Sequence, residues 1–571
     1  MKQIFTLTLA FLCISVLTAQ EASENLKTII QEIDDHKAYD REEFPLGLYT
    51  EKYYKEESEF AEKQLEQLQD IKTDSLSETE QISLEMLKFK LQETVDRYKY
   101  EAYLNPLLSD SGFHLSLAYQ VRDLNNYNQV KEYLNKLNAI PTYVDQHLVL
   151  LREGLQKGNT QPRIIFEGYE STYNDQILED PKESYFYEPF ENLPKTLSEV
   201  QKDSVLKAAE EAIGNNVIPQ FKRIKTFFET EYLPNTRTSL GVSEIPNGRE
   251  YYQNRLDYYT TLDLTAEEIH QIGLEEVARI NSEMKKIIAE VEFEGSFEEF
   301  IHFLRTDEQF YAKTGEELLM EARDIAKRID AKLPAYFKTL PRKPYGVAKV
   351  PDAIAPKYTT GRYIGASNET QPGYYWVNTY NLSNRPLYVL PSLTAHEAVP
   401  GHHLQNALNA ELGDSIPKFR RNMYLSAYGE GWGLYSEFLA EDMGIYTTPY
   451  ELFGKLTYEQ WRACRLVIDT GIHAMGWSRE EAVAYFEKNT ALSMHNINTE
   501  VDRYISWPGQ AVSYKIGEIK IRELRKKAEE TLGADFDIRD FHEVILEQGV
   551  VTLPILEERV EKYIEEQSNK E

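Results

Sequence analysis

Cysteine is nearly absent, and two residues in 571 cannot build a disulfide framework. Cys13 lies inside the apolar run Ile4 to Leu17, which follows Lys2 and ends at Thr18-Ala19-Gln20. That pattern reads as a secretory signal over residues 1–20. Its removal leaves Cys464 alone, so the exported chain, periplasmic or extracellular, relies on its core and any bound metal for stability. Because Cys13 sits in mid-run and not at the polar end, a lipid anchor on it is disfavoured. Beyond residue 20 no stretch approaches ~18 consecutive apolar residues, which excludes a helical membrane span. Positive charge is also scarce: 63 Lys and Arg against 94 Asp and Glu give a formal charge of −31. Phosphate backbones reward the opposite balance, so nucleic acid is excluded as a partner. There is no internal repeat and no low-complexity linker, and the length suits one large helical enzyme.

Helical patterning fills most of the chain. Glu80-Gln-Ile82-Ser-Leu84-Glu-Met86-Leu87-Lys-Phe89-Lys-Leu91 spaces its apolar residues largely at helical intervals, and similar runs recur at Val130–Leu137, Val200–Ile213 and Ile280–Val291. Residues 21–571 read as one helical domain, with an N-terminal half of about 21–240 and a motif-bearing half of about 241–571. Gly214-Asn-Asn before Pro219 predicts a helix break. Between Val347 and Leu390 the texture changes, and the aromatic, β-branched stretch Gln371–Thr379 predicts a small sheet. Such a strand at a sheet edge would accept an extended peptide through main-chain hydrogen bonds.

Histidine is sparse too, eleven in all, yet Thr394-Ala-His396-Glu397-Ala-Val-Pro400-Gly401-His402-His403 holds three of them beside a carboxylate. Neutral imidazole binds zinc at about 2.0–2.1 Å, and a glutamate next to a ligand can take a proton from the attacking water. The familiar short form, with histidines at i and i+4, works because both share one helix face. Here the second histidine comes at i+6 or i+7, roughly 9–10.5 Å along an ideal helix. Pro400 has no amide to bond back, and Gly401 tolerates unusual dihedrals, so a bulge or break is expected to bring a later imidazole round. The spacing leaves His402 and His403 both open as the partner of His396. Glu397 is the candidate general base.

A hydrolytic zinc site needs a third protein ligand and an open position. In Ser426-Ala-Tyr428-Gly-Glu430-Gly-Trp432-Gly, Glu430 lies between glycines that allow close backbone approach, and it is the expected ligand. Glu437 and Glu441 have the spacing of a solvated helix face. A peptidase cutting near a C-terminus also needs a cation for the substrate carboxylate and a donor for the developing oxyanion. The segment Glu500–Gly517 offers Tyr514 as the donor and Arg503, Tyr504 and Lys515 for the substrate. Asp469 and His473 are candidates for orienting a ligand, with a salt bridge from Arg465 to Asp469 as the simpler role.

Four ordered motifs, Ala395–Gln405, Gly429–Glu437, Arg465–His473 and Asp502–Gln510, together with Pro246–Tyr252, resemble the bacterial family catalogued as domain of unknown function 885. The resemblance covers most of the mature chain. Members look like zinc metallopeptidases of the zincin group, similar in architecture to angiotensin-converting enzyme and the thermostable carboxypeptidases. This implies a mainly α, large two-lobed helical fold around a deep cleft, with the small β-sheet next to the zinc helix. It supports Glu430, because those relatives take their third ligand from a downstream helix. It also favours His402 over His403, because their Gly-His pair matches Gly401-His402. The implied function is that of a secreted zinc-dependent metallopeptidase hydrolysing short peptides. A zinc hydrolase of a non-peptide amide would keep every motif, whereas a non-catalytic peptide-binding relative would have no need of Glu397.

Overall fold

The computed structural model describes residues 20–352, 355, 358–366 and 370–569. The expected export signal, residues 1–20, lies outside them except for Gln20, where a helix over 20–35 begins. The chain is mainly helical, with one three-stranded sheet among the described residues. No helix among them is long and apolar enough to cross a membrane. Contacts divide the chain into two compact units. One comprises residues up to Ser75, Leu87–Tyr252 and Thr499–Trp507; the other comprises Leu76–Met86, Gln253–Asn498 and Pro508 onward.

Helices of the first unit start where the sequence supplies caps. Thr50 accepts the Tyr53 amide at the head of Glu51–Gln69, Asn126 accepts that of Gln129 at the head of Tyr127–Lys157, and Ser198 with Gln201 forms a reciprocal capping box before Glu199–Ala212. The break expected at Gly214 does not occur. Ile213–Val217 winds as a wider π-helical turn and Ile218–Phe227 continues. Pro219 lies directly after this π-helical turn, at the start of the segment that continues. The unit's core is aromatic, with Phe113, His114, Tyr143, His147 and Phe228 packed ring against ring. Burial pushes His114 down to about 3 and His147 to about 4, so both are neutral packing residues.

The second unit carries the motifs. It includes α1 (Ala266–Glu290), strands β1 (Tyr345–Lys349), β2 (Gly361–Ile364) and β3 (Gly373–Val377), and helices α2 (Leu390–Glu397), α3 (His402–Ala410), α4 (Ser426–Asp442), α5 (Pro449–His473) and α6 (Ser513–Leu532). At the head of α5, Thr448 and Glu451 form a capping box with Pro449 in the first turn, and almost every residue from Phe453 to His473 is buried. Helix α1 packs along α5 through Ile269, Gly273, Val277, Ile280, Met284 and Ile287, a stripe at steps of three or four residues. Helix α5 also carries Lys455, Glu459, Arg462, Asp469 and His473, a polar stripe at helical spacing that is equally buried. Buried charge requires partners. Lys455 finds Glu441, Arg462 finds Glu437, Glu459 finds Lys515, and Asp469 accepts the Gly509 amide. The polar stripe therefore ties α5 to α4, to α6 and to the turn before α6.

In the sheet β3 is central, with β1 parallel to it (Tyr345 opposite Gly373) and β2 antiparallel (Gly361 opposite Val377). The aromatic segment expected as a peptide-accepting edge is thus flanked on both sides. Its alternation explains the placement: Tyr375 and Val377 are buried while Tyr374 is exposed, so one face packs inward. The edge strand that reaches α2 is β2.

Candidate metal centre

Helix α2 ends at Glu397 and α3 begins at His402. Between them Ala398 and Gly401 leave helical geometry, with ψ of −107° and −129°, and the Val399–Pro400 peptide is cis. The Gly401 amide reaches back to the Ala395 carbonyl at 2.9 Å and the His403 amide to that of Ala398 at 3.0 Å, so the tight turn leaves these amides paired. A Cβ on Gly401 would lie 1.9 Å from the His396 carbonyl oxygen, so only glycine fits. The break folds the chain back on itself. The rings of His396 and His402 stand at right angles, 4.7 Å apart between centres.

Helix α4 adds the third group. Glu430 Oε2 lies 3.4 Å from His396 Nε2 and 3.5 Å from His402 Nε2, and one donor atom from each residue falls within 4.8 Å of the others. A tetrahedral ion with ligands about 2.0–2.1 Å away separates neighbouring donors by about 3.3–3.4 Å, the edge of the tetrahedron. Hydrogen bonds of this kind would be shorter, at roughly 2.7–3.2 Å. The spacing therefore fits donors arranged around a common cation. Burial opposes the charge on Glu430, but the imidazoles, His402 foremost, hold its carboxyl well below the usual range. Burial likewise disfavours a charged His396, yet the carboxylates of Glu430 and Glu437 beside it lift it to about 10.

His403 is not part of the cluster. Its Nδ1 lies 3.3 Å from the Tyr363 hydroxyl, its ring rests against Tyr345 at 4.8 Å, and burial lowers it to about 4. Successive residues of a helix project about 100° apart, so His402 and His403 cannot both face His396. The structure brings His402 there.

Glu437 corrects the expectation of a solvated face: it is 3% exposed and accepts a hydrogen bond from His396 Nδ1 at 2.8 Å. Proton on Nδ1 leaves Nε2 to face the cluster. Arg462 stands 3.7 Å from the same carboxylate oxygen, and Tyr446 donates to the Glu437 carbonyl at 2.7 Å. The sequence placed Glu430 and Glu437 two turns apart on one face, and both are used. Between them a Cβ at Gly433 would lie 2.6 Å from His396 Cε1, so the imidazole occupies a groove that glycine keeps open. Replacing Glu437 with glutamine should weaken metal binding roughly 10–100-fold, the usual effect of losing such a partner. Titration against a competing chelator measures this, and unchanged affinity would reduce Glu437 to a space-filling role.

Glu397 is not one of the three clustered donors, but its charge is felt at His396 and at Tyr424. Its Oε2 accepts the Tyr363 amide of β2 at 2.7 Å, which fixes the carboxylate between the sheet edge and the end of α2. Tyr424, two residues before α4, donates to Glu430 Oε1 at 2.7 Å. Its ring is 53% exposed, but enclosure of the hydroxyl end, followed by the Glu430 charge, drives the phenol well above its usual range and keeps it a donor. Tyr514 acts on the same phenol, which places it nearby, and its ring lies 4.3 Å beneath the Arg465 guanidinium. Tyr424 was not foreseen.

The family model for DUF885, described as a bacterial protein of unknown function, matches residues 39–560. The chain belongs to the DUF885 family. No curated protein matches it. Among solved structures it is similar to a "putative lipoprotein" from Colwellia psychrerythraea, at 25% identity and a TM-score of 0.85 over 97% of this chain and 98% of the other. It is also similar to a "putative lipoprotein of unknown function" from Shewanella oneidensis, at 17% identity and a TM-score of 0.66 over 95% and 98%.

The remaining expected residues of this DUF885 protein are engaged elsewhere. Lys515 is fully buried and held by Glu518 at 2.7 Å, Glu459 at 2.8 Å and Glu276 at 2.9 Å, with Arg279 joining Glu459, so it cannot read a substrate carboxylate. Position 515 faces inward on α6, where the carboxylate of α5 needs a cation. Lys515→Met, which strands those acids, should destabilise the fold by about 3–5 kcal/mol, visible as a lower urea midpoint. A wild-type midpoint would show the network to be dispensable. Arg503 and Tyr504 belong to the first unit and share Glu500 as a partner, at 3.6 Å and 2.6 Å. Asp469 is occupied by the Gly509 amide, and the group that orients a candidate ligand is Glu437 instead.

Proposed function

We propose that this protein is an exported zinc-dependent metallopeptidase acting on short peptides, with the two-lobed, zincin-like cleft that its resemblance implies. The observation that carries the reading is the clustering of His396, His402 and Glu430, with both imidazoles 3.4–3.5 Å from one Glu430 oxygen and the carboxylate of the adjacent residue, Glu397, held at a strand edge. Export is supported by the apolar start of the sequence and by relatives described as lipoproteins. A zinc ion at these donors would polarise a carbonyl and make water more acidic.

The chain's own groups supply the rest. Tyr363 ties up Oε2 of Glu397, leaving Oε1 to take a proton from the attacking water and pass it to the leaving amine. The phenol of Tyr514 is the donor for charge developing on the substrate oxygen, while Tyr424 gives its one proton to Glu430. Glu437, backed by Arg462, keeps His396 in one tautomer and one orientation. Edge strand β2 is the surface along which an extended substrate backbone would lie.

Metal analysis of the purified chain, followed by incubation with a mixed peptide library and mass spectrometry, tests the proposal. Bound zinc and new peptide termini that vanish with a chelator are expected. Zinc without cleavage would favour an amide other than a peptide bond, or a binding role; absence of zinc would end the reading.

A further inference from the structure

Arg385, on the loop between β3 and α2, has a guanidinium that the fold leaves largely unused. The loop is fixed on both sides: the Arg385 amide donates to the Leu382 carbonyl at 2.9 Å, and Pro386 pairs with Tyr311. The guanidinium itself donates one hydrogen bond, to Thr360 Oγ1 at 2.9 Å, while its buried Nε has no acceptor. Among the described residues no carboxylate forms an ion pair with it. Other buried arginines that lack ion pairs are tied more fully into the fold. Arg237 donates to the carbonyls of Thr160, Ser239 and Gly241. Arg420, whose Nε also lacks an acceptor, still donates through its two terminal nitrogens to the carbonyls of Thr79 and Gln548 and to the Ser83 hydroxyl. Arg385 is a half-buried cation with one hydrogen bond to the protein and a buried Nε without an acceptor, an arrangement that an arriving anion would relieve.

Its position gives that anion a place. Thr360 immediately precedes β2, and Tyr363, three residues on, gives its amide to Glu397. At about 3.3 Å per strand residue, the hydroxyl that holds Arg385 stands about 10 Å along the strand from the amide that holds Glu397. Asn378 pins this approach: its side chain donates to the carbonyls of Ala355, Tyr358 and Thr359, and its amide to that of Thr360. Tyr458 of α5 is within electrostatic reach of both Arg385 and Glu397.

We propose that Arg385 is a specificity residue that binds a substrate carboxylate about three residues along an extended chain from the bond addressed by Glu397. This rests on the reading of the site given above. It assigns to Arg385 the task that sequence pattern gave to Arg503 and Lys515. A guanidinium suits it, because its fork of donors matches a carboxylate in two parallel hydrogen bonds.

The test reads binding, so it stands apart from turnover. Full-length mature protein carrying Glu397→Gln, which preserves the probes, is titrated by calorimetry with an N-acetylated tetrapeptide as the free acid, as the C-terminal amide, and as the amide with a terminal glutamate. The free acid should bind roughly 10–100-fold more tightly than the plain amide, as a charge-assisted pair provides. Arg385→Gln should bring that ratio close to one, and Arg385→Lys should retain part of it, with thermal melting confirming that both variants are folded. If the glutamate probe recovers the affinity, the carboxylate read is a side chain; if only the free acid does, it is the terminus. Equal affinity for acid and amide, no binding of either, or a preference that persists in Arg385→Gln would overturn the proposal. A protein that keeps the preference yet cleaves no peptide retains the Arg385 subsite and loses only the peptidase reading.

Discussion

Glu430→Ala should strip the chain of zinc, weakening the metal by more than the roughly 100-fold that loss of an outer-sphere partner can cost. The argument is geometric. Glu430 Oε2 is the one atom that lies 3.4–3.5 Å from the Nε2 atoms of both histidines, and α4 has no other carboxylate facing that point, since Glu437 is committed to the far side of the His396 ring. Alanine also leaves the Tyr424 hydroxyl without its acceptor. His402→Ala should lose metal to the same degree, whereas His403→Ala should keep it, because that imidazole is turned to Tyr363 and Tyr345. Elemental analysis after equilibration with excess zinc and gel filtration measures all three. Full occupancy in a His396→Ala/Glu430→Ala double mutant would sink the assignment, and metal retained in His402→Ala but lost from His403→Ala would transfer the role.

The candidate ligands were legible because a break in a helix leaves a mark in the sequence. Pro400-Gly401 announced that the i+6 spacing would be rescued by a turn, and glycines around Glu430 announced close approach. The structure ties both signals to specific contacts, with Gly401 against the His396 carbonyl, Gly429 against the Tyr424 ring and Gly431 against the Gly517 backbone of α6. The helices, with their Ser and Thr caps and three-to-four-residue apolar stripes, were legible for the same reason: the information is local.

What stayed hidden depends on which way a helix faces. Glu437 and Glu441 have the i,i+4 spacing of a wet surface; Glu441 is indeed exposed, but nothing in α4 reveals that Glu437 is buried against His396 and Arg462. Lys515 and Arg503 look alike as free cations in a short segment. One is enclosed by three acids from α1, α5 and α6, and the other belongs to a different unit. Tyr424 is one of 39 tyrosines and carries no spacing signal, so its bond to Glu430 appears only when α4 is placed. The strand Gly373–Val377 was recognisable from its aromatic alternation, but that it sits in the middle depends on partners near 345 and 361 that no local pattern connects. A cation is visible in sequence, whereas its counter-ion is a property of the fold.

Glu397→Gln should leave zinc content and melting temperature close to the parent while turnover of a cleaved peptide falls by about 10²–10⁴, the range expected of a positioned acid–base group. Glutamine keeps the carbonyl oxygen that accepts the Tyr363 amide, so the side chain's anchorage to β2 survives and only the capacity to hold a proton is lost. The loss should appear in kcat more than in KM, because proton transfer matters in the transition state and not in the resting complex. Tyr514→Phe should resemble it in kind, a loss in kcat more than in KM, because a donor aimed at the developing oxyanion acts chiefly in the transition state. Steady-state kinetics on one peptide, with metal content measured on the same preparations, separates these effects from simple demetallation. Near-normal turnover by metal-loaded Glu397→Gln would remove Glu397 from the chemistry and leave its bond to Tyr363 as a purely structural link between the sheet and the end of α2.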